Sequence, residues 1–72
     1  MVDAKGIENL CALKSGEHCI VGEGENGDAE VWRVNDRFIL FEIPSFGGDP
    51  MYVDTLRLNE IPLLIDTVDS WT

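Results

Sequence analysis

The chain has 72 residues, fourteen acidic against five basic, and a formal net charge of -9. Charge of that sign repels phosphate backbones and anionic lipid surfaces, so direct nucleic-acid binding and membrane attachment are excluded as expectations. The length allows one domain over 1–72, and a hydrophobic content of 44% supplies a core that an acidic disordered chain would lack.

Residues 3–14 read as a helix. Asp3 is a good N-cap, Val2 and Ile7 stand at the two positions of a hydrophobic staple, and Gly16 supplies a stop after Lys14. Ile7, Leu10 and Cys11 follow helical spacing and are expected to form the buried stripe, with Ala4 and Leu13 flanking it. Gly6 in the first turn works against the helix by roughly 1 kcal/mol relative to alanine.

Strands are expected over 18–24, 29–34 and 38–43, forming an antiparallel meander. Asn26-Gly27 is a strong hairpin signal, and Asn35-Asp36 marks the next turn. Two-residue loops at these places set Val21 opposite Trp32, Cys19 opposite Val34, Trp32 opposite Ile39 and Glu30 opposite Phe41. One face then gathers Cys19, Val21, Trp32, Val34, Ile39, Phe41 and Ile43, and is read as the core face. The other gathers Ile20, Val31, Phe38 and Leu40 beside Arg33 and Glu42. That is too apolar for a freely solvated surface, and a helix of the same chain or a second copy is expected to cover it.

Pro44 ends the third strand, and Ser45-Phe46-Gly47-Gly48-Asp49-Pro50 reads as a loop, with Phe46 and Asp49 as candidate contacts. Residues 51–56 can add a fourth strand at an edge, suited by Pro50 and Asp54. The segment 60–71 reads as a helix capped by Asn59, with Pro62 in its first turn and Ile61, Leu64, Ile65, Val68 and Trp71 on one stripe. The expected fold is α+β: a three- to four-stranded antiparallel meander flanked by an N-terminal and a C-terminal helix.

The chemistry-bearing residues are few. Glu23, Glu25, Asp28 and Glu30 crowd the first hairpin, and the expected register sets Glu23 against Glu30, a destabilising like-charge pair. The cluster suggests a solvated tip or a docking point for a basic protein partner. The spacing fails a calcium loop, because Asp28 stands where such a loop needs glycine. His18 and Cys19 are adjacent but point to opposite faces of a strand, so they cannot act as base and nucleophile. Cys11 and Cys19 are expected to be buried structural thiols, and with His18 they fall short of the four ligands of structural zinc. No catalytic residue, cofactor or metal is expected, and the chain is read as a non-enzyme.

The start Met1-Val2-Asp3-Ala4-Lys5 lacks the features of a secretory signal, and no uninterrupted apolar run exceeds four residues, so a cytoplasmic location is expected. The leading functional expectation is a small acidic interaction module, homodimeric through the Ile20, Val31, Phe38 and Leu40 face. The alternative is an inhibitor encoded by a phage or other mobile element that mimics nucleic acid towards a nucleic-acid-binding protein. Nothing in the composition selects mimicry over simple acidity.

Overall fold

The structure is a computed structural model and describes residues 2–72. Helix α1 (Ala4–Ala12) leads into strands β1 (His18–Gly24), β2 (Gly27–Val34), β3 (Arg37–Pro44) and β4 (Met51–Arg57). A single 3-10 turn (Leu58–Glu60) then opens helix α2 (Ile61–Asp69). The strands form one antiparallel sheet in the order β1-β2-β3-β4, so the fourth strand is present and the fold is α+β as expected. Asp54 and Pro50 belong to the edge strand and the loop that feeds it.

Both helices lie on the same side of the sheet. Leu10 and Leu13 from the α1 segment and Leu64 and Val68 from α2 join Val21, Ala29, Val31, Phe38, Leu40 and Leu56 in one buried cluster. Strand side chains alternate between faces, so Ala29, Val31, Phe38, Leu40 and Leu56 mark a single covered face. For β2 and β3 the expected assignment of faces is therefore inverted, while Cys19 and Val21 of β1 lie on the core side as expected. Val31, Phe38 and Leu40 are core residues shut off from solvent by the chain's own helices, and cannot serve as a self-association face. Trp32, Val34, Ile39, Phe41 and Ile43, read as core, lie on the face that no helix covers. Both faces carry charged residues, Asp28, Glu30 and Arg37 on the open one and Arg33, Glu42 and Asp54 on the covered one, where none of the three is buried. Arg33, which shares the covered face, lies at its rim and donates through Nη1 to the Leu13 carbonyl oxygen at 2.8 Å, closing the end of α1.

Helix α1 is turned relative to its expected stripe. Asp3 caps it, its carboxylate accepting from Gly6 N–H at 2.8 Å, but the buried positions are Gly6, Leu10 and the C-cap Leu13. Ile7 is 38% exposed and Cys11 is also exposed, so neither is core. Gly6 explains the rotation. A Cβ built there would strike the Val21 carbonyl oxygen, so this residue lets the helix axis approach β1.

The second hairpin has the expected register, with Trp32 opposite Ile39 and Glu30 opposite Phe41. The first does not. Gly24 pairs with Gly27 around a Glu25-Asn26 turn, and a bulge at Val21 shifts the pairing again, so Cys19 faces Val31 and Ile20 faces Glu30. Gly27 adopts φ 139°, an arrangement open to glycine, and a Cβ there would strike the Ile43 carbonyl oxygen. The bulge sends Val21 into the core and moves Ile20 to the open face, beside Glu30.

At the C-terminal helix the expected stripe is found: Leu64 and Val68 are buried, with Ile61, Ile65 and Trp71 packed against the core. Asn59 is not the cap. It lies inside the 3-10 turn, where the Glu60 carboxylate accepts from Arg57 N–H at 2.8 Å, and Pro62 sits in the first turn of α2 as expected.

Candidate functional site

The open face of the sheet is ordered in rows across the strands. The first row holds Val34, Arg37 and Arg57; the second holds His18, Trp32, Ile39 and Thr55. Ile20, Glu30, Phe41 and Tyr52 form the third, and Glu23, Asp28 and Ile43 the fourth. The middle of the face is thus mostly apolar and aromatic around Glu30 and His18, one end is cationic and the other anionic.

The aromatic groups are held rather than loose. Trp32 Nε1 donates to Glu30 Oε1 at 2.7 Å along β2, and His18 stacks on the indole with ring centroids 4.2 Å apart. The other Glu30 oxygen lies 3.6 Å from His18 Nδ1. One carboxylate therefore meets both rings of the stack. Across the other half of the face Phe41 meets Tyr52 edge-on at 6.3 Å, and the Tyr52 hydroxyl shares a 2.9 Å hydrogen bond with the Thr55 hydroxyl. Trp32 is 37% and Tyr52 60% exposed, a large aromatic area left towards solvent on a small domain.

The acidic hairpin residues do not act as one group. Glu23 pairs with Asp28 across the hairpin instead of with Glu30. Glu25 occupies the turn, while Glu30 belongs to the aromatic cluster. Among the described residues no three His, Cys, Asp or Glu side chains gather where they could hold a metal ion. The loop candidates lie at the same end of the sheet as the hairpin tip, tied to it by Ser45 Oγ donating to the Glu25 carbonyl oxygen at 2.8 Å. Phe46 is 100% exposed and Asp49 is exposed as well. Gly47 and Gly48, at φ 91° and 109°, carry the turn that leaves Phe46 outside.

Other features are modest. A groove of about 280 Å³ between α1 and β1, lined by Asp3, Lys5, Asn9 and Glu23 among others, is smaller than most ligand pockets. Cys19 is half-buried on the covered side; burial pushes its thiol pKa up, and Glu30 and Glu17 add to the shift. No described helix is long and apolar enough to cross a membrane.

The face formed by Trp32, Ile39, Phe41 and Tyr52 was missed as a contact surface when the sequence alone was read. Charge is interleaved with this face at Asp28, Glu30 and Arg37 but with the covered one at Arg33, Glu42 and Asp54, so it does not single the face out. No protein-family model, curated protein or solved structure matches the chain.

Proposed function

We propose that this chain is a small acidic, non-enzymatic protein-interaction module that self-associates through an apolar sheet face, namely the open one. The observation that carries the reading is the placement of Trp32, Ile39, Phe41 and Tyr52 on a face without a covering layer. Soluble monomers rarely leave a contiguous aromatic and aliphatic surface uncovered. A domain of this length also buries a small share of its unfolded surface, about 60%, and gains from further burial against a partner. The acids around the face have a complementary part: a net charge far from zero keeps a sticky surface soluble.

Sedimentation velocity from low to high micromolar concentration tests this. The expected result is a concentration-dependent dimer that Ile39→Asp or Phe41→Asp returns to monomer without loss of helix and sheet by circular dichroism. A wild-type chain that stays monomeric throughout overturns the reading.

A further inference from the structure

The occupant of the open face can be specified further, on the basis of the self-association just proposed. We infer that a second copy packs face to face with its strands running opposite, so that the Arg37 and Arg57 end of each copy lies over the Asp28 end of the other.

The distribution of charge along the strands is the reason. Of the chain's five basic residues, Arg37 and Arg57 fall in the row at one end of the open face. Glu23 and Asp28 fall in the row at the other end, with Glu25 at the hairpin tip beyond them. Between the two ends lie Trp32, Ile39, Ile20, Phe41 and Tyr52, with His18, Thr55 and Glu30 among them, the Glu30 carboxylate held by the Trp32 indole N–H. The face carries two arginines against three carboxylates, Glu23, Asp28 and Glu30, whereas the whole chain carries -9. It is therefore the surface on which an equally anionic second copy meets the least repulsion. A basic partner would gain more almost anywhere else on the molecule.

Two twofold arrangements stack the apolar centres. An axis parallel to the strands sets arginine over arginine and carboxylate over carboxylate. An axis across the strands sets each cationic end over an anionic one and repeats the contact twice, as an isologous interface must. Like charges facing each other oppose docking, and complementary ones fix its register. Sheets pack in aligned sandwiches within about 30° of parallel, so strand direction is preserved well enough for the ends to meet. Arg37 is already paired with Asp36 at 2.8 Å, but both side chains are exposed. Exposed pairs of this kind contribute only about 0–1 kcal/mol and leave Arg37 able to reach a second carboxylate.

The test separates this arrangement from dimerisation itself. R37E/R57E and K5E/K14E change the net charge equally, but only the first alters the open face. R37E/R57E is expected to raise the dimer dissociation constant about tenfold or more beyond K5E/K14E, given two symmetric contacts. Adding Asp28→Arg to R37E/R57E inverts both ends of the face and is expected to restore most of the lost affinity. Circular dichroism of each variant confirms the fold. Equal weakening by the two double variants, or no rescue by Asp28→Arg, overturns the crossed arrangement while self-association stands. A wild-type monomer, or a dimer indifferent to Ile39→Asp, overturns both, and then a different partner or another surface is the answer.

Discussion

His18 and Trp32 stack across β1 and β2 with ring centroids 4.2 Å apart and planes 20° from parallel. The stack sits on the open face and is pinned from below by Glu30, which accepts the indole N–H at 2.7 Å. A side chain fixed in this way before binding has less rotational freedom to lose when a partner arrives. Aromatic groups with such restraint make effective interface anchors.

Trp32 should therefore report association directly. Trp71 packs against the core from the end of α2, and its indole nitrogen is buried within the single chain. In a Trp71→Phe variant the remaining emission should shift to shorter wavelength as concentration passes through the dimer dissociation constant. Trp32→Phe should leave a spectrum that does not depend on concentration. Emission from Trp32 that stays constant while sedimentation shows dimer would place the contact elsewhere.

Neighbouring residues on β3 should behave in opposite ways. Leu40 is fully buried beneath the helices, whereas Ile39 points to the open face. Leu40→Ala should destabilise the fold by about 2–5 kcal/mol, the range for a large aliphatic group removed from a packed core. Ile39→Ala, measured below the dimer dissociation constant, should cost about 1 kcal/mol or less, because the site can rehydrate. Urea unfolding of both variants at low concentration distinguishes the faces; equal losses would mean that the sheet is covered on both sides.

Gly6→Ala puts two local effects against each other. Alanine favours the helix by about 1 kcal/mol. Its Cβ would also meet the Val21 carbonyl oxygen well inside contact distance, and the obstacle is backbone that cannot swing aside. Overpacking of this kind costs about 1–3 kcal/mol, so the steric effect should win and the variant should unfold at lower urea than wild type. Stabilisation would show that α1 can lift from β1 at little cost.

The same glycine shows why the elements were legible in the sequence while their faces were not. Periodicity located α1 and α2, and the turn residues at Asn35-Asp36 fixed the register of β2 on β3. Those are local signals. Which side of the sheet received the helices depended on comparing two apolar faces, and both Trp32-Ile39-Phe41 and Val31-Phe38-Leu40 alternate correctly. Charge does not separate them, since Asp28, Glu30 and Arg37 thread the first set and Arg33, Glu42 and Asp54 the second. In the first hairpin the Glu25-Asn26 turn and the bulge at Val21 displaced every pairing, so the like-charge partner of Glu23 is Asp28 rather than Glu30. Gly6, discounted as a weak helix former, set the rotation of α1 through a tertiary contact that helical spacing does not encode.

The two thiols provide a last, pH-dependent prediction. Cys11 is exposed on α1, whereas Cys19 is half-buried, with burial and then Glu30 and Glu17 raising its pKa above the ordinary thiol value. Thiolate is the reactive form, so iodoacetamide near neutral pH should modify Cys11 first and Cys19 much more slowly. Folding holds the Cys19 proton more tightly than the unfolded chain does. Its contribution to stability is then fully present below the unfolded thiol's pKa and is lost as pH rises through the higher folded value. Alkylation followed by peptide mass spectrometry should show Cys19 labelling accelerating only at pH above the ordinary thiol range. A Cys19→Ser variant should lose the thiol's share of the alkaline decline in stability. Equal labelling rates for the two at every pH would mean that β1 opens readily from its pairing with β2, and that the Cys19 environment is not maintained in solution.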